Sequence, residues 1–391
     1  MKTRKLIALL LTAALALALL AGCGGTKTPD PTKAPDPTKA PTESQTPDAK
    51  DPAESEAPSG TDFSEKVKLT FAIGGAAGKG SAVANQAFID LVAERSNGAI
   101  EIELIPDGAL GNEASLVQQV MEGSCDIVGA AIGTVSAYST YLSVFQMPFL
   151  VNNYELEAEV LKSDAWKALV NAASEDLGTA TIIGATEFGM RGFATINKPV
   201  TCIDDVAGLK VRTGGNPVID EAMRLIGTNP VSIPFTELYS SLQNKVVDAE
   251  EINLTSISMQ KHYEVVKYYT DIGLYPWLSL VLISNSVVDS LPEGYYELIC
   301  ECMAECDADY MQNELYNWVG SAAEDCEANG LTISGSVPGT GDINQLRHTQ
   351  TISELTDREV WIERMAPIYE EWSAKDPLIA DFISAVQEMD K

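Results

Sequence analysis

The amino-acid sequence predicts an α/β protein of two lobes, and three observations carry that expectation. From Val67 short apolar runs alternate with amphipathic ones, the pattern of a sheet with helices on its faces. The alternation starts afresh around residue 189 as a second unit of the same kind. About 325 residues remain once an N-terminal leader and tether are set aside, which is long for one core and suits two.

Residues 1–22 read as a signal peptide. Lys2, Arg4 and Lys5 precede an apolar run from Leu6 to Leu20, and a small-residue cleavage site follows at once, unlike the flanks of a membrane span. Leu20-Ala21-Gly22-Cys23 resembles a bacterial lipobox. That resemblance implies cleavage before Cys23, diacylglycerol on its thiol, and anchoring at the outer face of the cell membrane. Residues 23–62 then hold the lipidated cysteine and a Pro/Thr-rich stretch in which Pro29-Asp30-Pro31-Thr32-Lys33-Ala34 repeats directly as residues 35–40. Such a composition cannot bury enough apolar surface to offset ordering entropy, so a disordered tether is expected.

The formal net charge is −30, and loss of Lys2, Arg4 and Lys5 with the leader takes it to −33. That balance excludes nucleic acid and broad docking on anionic lipid as partners. A small anion remains compatible, because screening over about 8 Å leaves a buried site to its local arginines. Of the seven cysteines, Cys300, Cys302 and Cys306 share one helical stretch, but no Cys-x-x-Cys spacing accompanies them and His262 and His348 are remote in sequence. Buried thiols are expected there rather than a metal site. Extracellular disulfides stay open, their connectivity unreadable.

Within the first unit VKLTFAI reads as a strand, and Ser81 to Arg95 as a helix stopped by Asn97-Gly98. IEIELIP alternates as a strand, Asn112 to Glu122 reads as a helix ended by Gly123, and CDIVGAAI as another strand. The second unit offers helices from Pro217 to Ile226, Phe235 to Gln243 and Thr255 to Val266, with strands at NPVSI and KVVDAE. YYTDIG and LSLVLIS lead back to the first. After Leu291-Pro292-Glu293 a helical stretch continues to about Asn329, long enough to lie across both lobes. The expected division is 63–188 for the first part of lobe I, 189–276 for the first part of lobe II, 277–316 for the return and long helix, and 317–391 for the completion of lobe II with C-terminal helices.

Gly74 to Ser81, GGAAGKGS, has the wrong spacing for a phosphate loop and reads as a flexible loop lining a cleft. No Gly-x-Ser-x-Gly or metalloprotease His-Glu pattern is present, so no nucleophile or general base stands out and no cofactor is implied. Few arginines stand in the acidic background, and Arg191 in GMRGFAT and Arg212 in GLKVRTGG look placed for an anion. In GLKVR, Leu209 and Val211 share one face while Lys210 and Arg212 share the other, before a small-residue turn at Thr213, Gly214 and Gly215. A planar guanidinium there can bind a carboxylate through two parallel hydrogen bonds, and the small neighbours let a ligand approach.

The run GMRGFATINKPVTCIDDVAGLKVRTGGNPVIDEAMRLIGTNPVSIPFTELYSSLQNKVVDAEE resembles the signature region of the DctP-type solute-binding proteins of TRAP (tripartite ATP-independent periplasmic) transporters. The resemblance extends to HYEVVKYY at His262–Tyr269, to IPDGALGNEASLVQQVMEGSCDIVGAA, and more loosely over the chain from Val67. It implies a two-lobed periplasmic-binding-protein-like fold with a hinge and a long helix spanning both lobes. It also implies a binding protein rather than an enzyme, which captures a small organic acid and delivers it to small and large membrane subunits driven by an ion gradient.

By that resemblance Arg212 pairs with the ligand carboxylate, Arg191 supports the same group, Phe235 packs on the ligand, and Glu113 offers a polar contact from the first lobe. Gly129 to Ala131 matches a ligand-facing strand end yet brings no aromatic or charged side chain. The family's Glu-Asn after the Val-Asp strand is altered to Glu250-Glu251-Ile252-Asn253, leaving Glu251 and Asn253 as candidates and tilting the ligand towards a sugar acid such as a uronate, with a dicarboxylate as the other choice. Two other readings use the same residues: an extracellular enzyme with Glu250 or Glu251 as acid or base, and a sensory module presenting the bound acid to a receptor.

Overall fold

The computed structural model describes residues 62–76, 81–309, 315–334 and 357–391; the signal peptide, Cys23, nearly all of the tether and Lys79 of the glycine-rich run lie outside the described residues. In chain order come β1 (Val67–Ile73), α1 (Ser81–Arg95), β2 (Ile100–Ile105), α2 (Glu113–Glu122), β3 (Ile127–Ala131), α3 (Ile132–Val135), α4 (Tyr154–Lys162), α5 (Asp164–Leu177) and β4 (Ala180–Met190). Then follow β5 (Gly192–Thr195), β6 (Lys210–Thr213), α6 (Pro217–Leu225), β7 (Asn229–Ser232), α7 (Phe235–Gln243), β8 (Ala249–Ile252), α8 (Leu254–Gln260) and β9 (Tyr268–Thr270). The chain closes with β10 (Pro276–Ser284), α9 (Asn285–Val288), α10 (Tyr295–Asp309), α11 (Leu315–Ala328), β11 (Thr332–Ser334), α12 (Arg358–Met365), α13 (Pro367–Ser373) and α14 (Pro377–Met389).

Two mixed sheets result. The first runs β2-β1-β3-β10-β4, the second β11-β9-β5-β8-β6-β7. In the first, β1 is parallel to β2 and β3, while β10 returns antiparallel to both β3 and β4. Helices cover both faces of this sheet, which is why β10 reads as an almost unbroken apolar run, buried at every position but Trp277. In the second sheet β6 is parallel to β7 and β8, with β5 antiparallel to β8 and β9.

Four apolar clusters hold these layers among the described residues, the smallest formed by Tyr154, Met190, Leu315 and Val319. Phe71, Phe88, Ile100 and Leu298 fill the space between β1, α1 and α10. Leu116, Phe145, Met223 and Phe382 belong to a larger cluster that reaches from the first sheet to the second. Leu238, Ile257 and Ala323 pack α7, α8 and α11 on the far face of the second sheet. Each fully buried large apolar side chain contributes about 1.5–3 kcal/mol relative to exposure.

Among the described residues two adjacent strand crossovers join the sheets. Arg191 is the single residue between β4 in one sheet and β5 in the other, and residues 271–275 lead from β9 back to β10. The two crossovers pair: Arg191 N donates to Tyr275 O at 2.9 Å and Leu274 N to Arg191 O at 3.1 Å. Gly189 supplies the bend before Arg191 with a φ of 116°, a conformation a side chain would strain.

Several expectations need correction. The helix from Thr255 ends at Gln260, because Lys261 adopts a left-handed φ of 57° and its amide caps Ile257 and Ser258. A short turn at His262–Glu264 follows and carries His262 into the interior. The strand expected over KVVDAE begins only at Ala249, after Lys245 at φ 56° and an exposed Val246. The long helical stretch is described as α10, packed on α1 and β4, and α11, packed on α8, and the residues joining them, 310–314, lie outside the described residues. The C-terminal helices divide between the lobes: α12 and α13 pack on α6, whereas α14 packs on α4 and α5. Among the described residues no helix is long and apolar enough to cross a membrane.

Candidate functional site

A cavity of about 370 Å³ opens between the two sheets, and both arginines line it. Arg191 reaches it from the crossover and Arg212 from β6. Both are 4 % exposed, so each guanidinium has lost its water and depends on protein or ligand acceptors. The two are held differently.

Arg191 donates Nε to Glu251 Oε1, Nη2 to Glu251 Oε2 at 3.4 Å and Nη1 to Asn253 Oδ1 at 3.2 Å. Tyr275 adds its hydroxyl to the same Glu251 oxygen. Burial works against the charge on Arg191, but Glu251 and Tyr275 outweigh it and hold its pKa above the ordinary arginine value. Arg212 donates Nε to Ile233 O at 2.9 Å and has no carboxylate partner among the described residues. Burial, and then the like charge of Arg191, lower its pKa, with Glu251 and Glu250 opposing. A buried cation in that condition is stabilised by any anion that enters.

The rest of the wall is aromatic and neutral polar. Tyr138, Phe188, Phe235 and Trp277 line it, with Phe188 set edge-on to Trp277 at 4.4 Å between centroids. Phe235, at the start of α7, is half-buried, and the His262 ring lies 6.0 Å behind it. Glu113 lines the cavity as the first residue of α2, a position fixed by Asn112, whose side chain accepts from Ser115 N. Thr134 donates to Glu113 at 3.1 Å, and burial nonetheless raises the pKa of this carboxyl. Gly215 also lines it, with φ at 90°, and a Cβ there would come within 2.7 Å of Ser232 Oγ.

Thus Arg191, Arg212, Phe235, Glu113 and Gly215 share one cavity wall. Glu251 and Asn253 stand behind it. Asn253 is fully buried and its amide donates to Phe188 O at 2.8 Å and Thr255 Oγ1 at 3.0 Å, so both residues position Arg191 instead of facing the cavity. Glu250 is likewise behind the wall, its carboxylate 2.9 Å from His262 Nδ1.

The family described as bacterial extracellular solute-binding protein, family 7 (DctP) matches residues 76–338, more than half of the chain. The chain belongs to this family. The family 7 protein is similar to the 2,3-diketo-L-gulonate-binding periplasmic protein YiaO of Escherichia coli, 25 % identical over 78 % of this chain and 87 % of that one. It is 26 % identical to the C4-dicarboxylate-binding periplasmic protein DctP of Rhodobacter capsulatus, over 79 % of this chain and 86 % of that one. Among solved structures, the sugar acid binding protein DctPAm from Advenella mimigardefordensis in complex with galactonate superposes with a TM-score of 0.74 at 22 % identity, covering 83 % of this chain and 99 % of that one. That likeness establishes the two-lobed fold.

Tyr138, Gln146, Phe188, Asn216, Tyr275 and Trp277 also line the cavity of this family 7 protein, and the sequence analysis did not single them out. Trp277 carries a signal in hindsight: it is the lone aromatic at the head of an aliphatic strand. Gln146 and Asn216 carry none, because they meet, Asn216 Nδ2 to Gln146 Oε1, only when residues 70 apart in sequence fold together. Among the described residues no disulfide forms; burial pushes Cys302 up to about 11, which makes it a poor nucleophile at neutral pH.

Proposed function

We propose that this family 7 protein captures a polyhydroxylated monocarboxylate, a sugar acid of the uronate or aldonate kind, and presents it to the membrane subunits of a TRAP transporter. The observation that carries the reading is the buried guanidinium of Arg212, which meets no carboxylate among the described residues and faces a largely neutral wall. A single ligand carboxylate satisfies it. Among the described residues the only other ionisable side chain on the cavity wall is Glu113, whose carboxyl can meet hydroxyl groups but offers no cation to a second carboxylate. Thr134, Tyr138, Gln146, Asn216 and Ser279 add further partners for hydroxyl groups. This chemistry favours a sugar acid over a C4-dicarboxylate, and galactonate is the ligand of the DctPAm structure.

Closure of the lobes over the acid excludes water and strengthens the charge-assisted bonds at Arg212. Lipid on Cys23, after removal of residues 1–22, would keep the protein at the outer face of the membrane, and the tether would give it reach. Glu250 and Glu251, the acid–base candidates of an enzyme reading, are both engaged behind the wall.

The test is a thermal-shift screen of residues 24–391 against D-glucuronate, D-galacturonate, D-galactonate and succinate. A ligand at 100 times its Kd raises stability by about 2.7 kcal/mol. Stabilisation by at least one sugar acid and a weaker response to succinate is expected. A succinate response larger than that of every sugar acid would overturn the ligand class, and consumption of the bound acid would favour the enzyme.

A further inference from the structure

Two glutamates beside the cavity take no part in the site. Glu157 on α4 and Glu187 on β4 are both fully buried. Neither carboxylate oxygen of Glu157 has a hydrogen-bond partner among the described residues. The Glu187 carboxylate accepts from Phe188 N and, at 2.7 Å, from Gly189 N. Phe188 lines the cavity, Gly189 is the bend, and Met190 N donates to the Tyr154 hydroxyl oxygen of α4 at 2.9 Å. Glu187 and Tyr154 therefore hold the crossover that carries Arg191.

Among the described residues few charges face these groups; on the β4 side, Asp307 of α10 accepts from Ala185 N at 2.9 Å. The negative charge of Glu187 acts on Glu157, and Arg191 acts on Glu187, but that guanidinium is already engaged by Glu251 and Asn253. The helices packed on α4 turn apolar side chains to the core, Trp166 and Leu169 from α5 and Phe382 and Val386 from α14. Their charged residues Asp164, Lys167, Asp381 and Glu388 are exposed. An unpaired charge buried at such a place costs far more than taking up a proton.

We propose that Glu157 and Glu187 form a proton-binding site on the interlobe crossover, and that capture of a carboxylate is linked to proton uptake there. This rests on the carboxylate reading of the cavity. An anion arriving at Arg212 and Arg191 brings negative charge towards Glu187 and favours its neutral form, and by reciprocity a proton on the pair favours the anion. One proton passes from a buffer acid to a carboxylate oxygen: the donor's bond to hydrogen breaks, an O–H bond forms on the carboxyl, and the donor is left as its conjugate base. Burial pushes Glu187 up to about 8, with Gly189 N, Phe188 N and Arg191 opposing, so the exchange falls near neutral pH.

The test is calorimetry of D-glucuronate, D-galactonate and succinate binding to the full mature chain from pH 6.5 to 8.5, in two buffers of different ionisation heat. The two sugar acids stay ionised throughout that range. Net proton uptake and a roughly fivefold weakening of Kd across that range are expected, with Glu187→Gln matching wild-type affinity at pH 6.5 and losing most of the slope. Equal heats in both buffers overturn the proposal, and so does an unchanged slope in Glu187→Gln. Asp307→Asn is the control for a second raised carboxyl: loss of uptake in that variant places the proton elsewhere and also overturns it.

Should Glu187→Gln not fold, the wild-type heats and Asp307→Asn still decide. If none of the acids binds, the carboxylate reading has failed, and ligand-free unfolding decides the proton site alone. Wild type should lose stability relative to Glu157→Gln from pH 6 to 9, whereas parallel curves would rule the site out.

Discussion

Arg212 and Glu250 stand opposite one another in the parallel strands β6 and β8, yet Glu250 pairs with His262 and leaves Arg212 without a carboxylate among the described residues. The neighbouring position repeats the elements with the opposite result, since Glu251 closes on Arg191 with two hydrogen bonds. Two arginines thus line one cavity with different duties. Arg191 belongs to a finished network and Arg212 to an unfinished one.

The first consequence concerns stability. Arg191→Met strands Glu251 as a buried charge, and should cost about 3 kcal/mol in urea unfolding. Arg212→Met removes a cation that has no counter-charge, and should leave ligand-free stability within about 1 kcal/mol of wild type or raise it. Equal losses in the two variants would show that the arginines are held alike.

Phe235 is half-buried on the cavity wall rather than sealed in the core. Phe235→Leu should therefore weaken sugar-acid binding by about 1 kcal/mol, the scale of a lost aromatic contact, and leave the thermal midpoint almost unchanged. A large drop in midpoint with unaltered affinity would assign the ring to the core.

Much of this was legible in the sequence, and the boundary of legibility is physical. β1, α1, β2 and α2 announce themselves through local periodicity and through Asn112 and Gly123 at the ends of α2. Arg191, Arg212, Phe235, Glu113 and Gly215 were placed by their local contexts and by family resemblance together. Asn253 looked like a ligand contact because its neighbours in sequence are right, but its amide is consumed by Phe188, Thr255 and Arg191, contacts up to 65 residues away. The burial of both Glu157 and Glu187 is illegible for the same reason, since neither α4 nor the end of β4 shows what it will pack against.

Asp307 gives a pH prediction outside the cavity. Burial pushes its carboxyl up to about 7 from an ordinary 3.8, the amide of Ala185 opposing. The folded state therefore holds this proton more tightly than the unfolded state does. Its contribution to stability is complete below the ordinary value and is lost as pH rises through about 7. Asp307→Asn should raise the thermal midpoint at pH 8 and leave it unchanged near pH 3.5. Identical shifts at both pH values would mean that the gain is not electrostatic.

The central claim is that Arg212 is the carboxylate anchor, and titration calorimetry of Arg212→Lys with a sugar acid that stabilises the wild type tests it most directly. Lysine keeps the charge but loses the planar fork, so Kd should weaken about thirtyfold, roughly 2 kcal/mol, while circular dichroism and the ligand-free midpoint stay at wild-type values. Affinity within about twofold of wild type in a folded Arg212→Lys protein would contradict the account and place the carboxylate on another group.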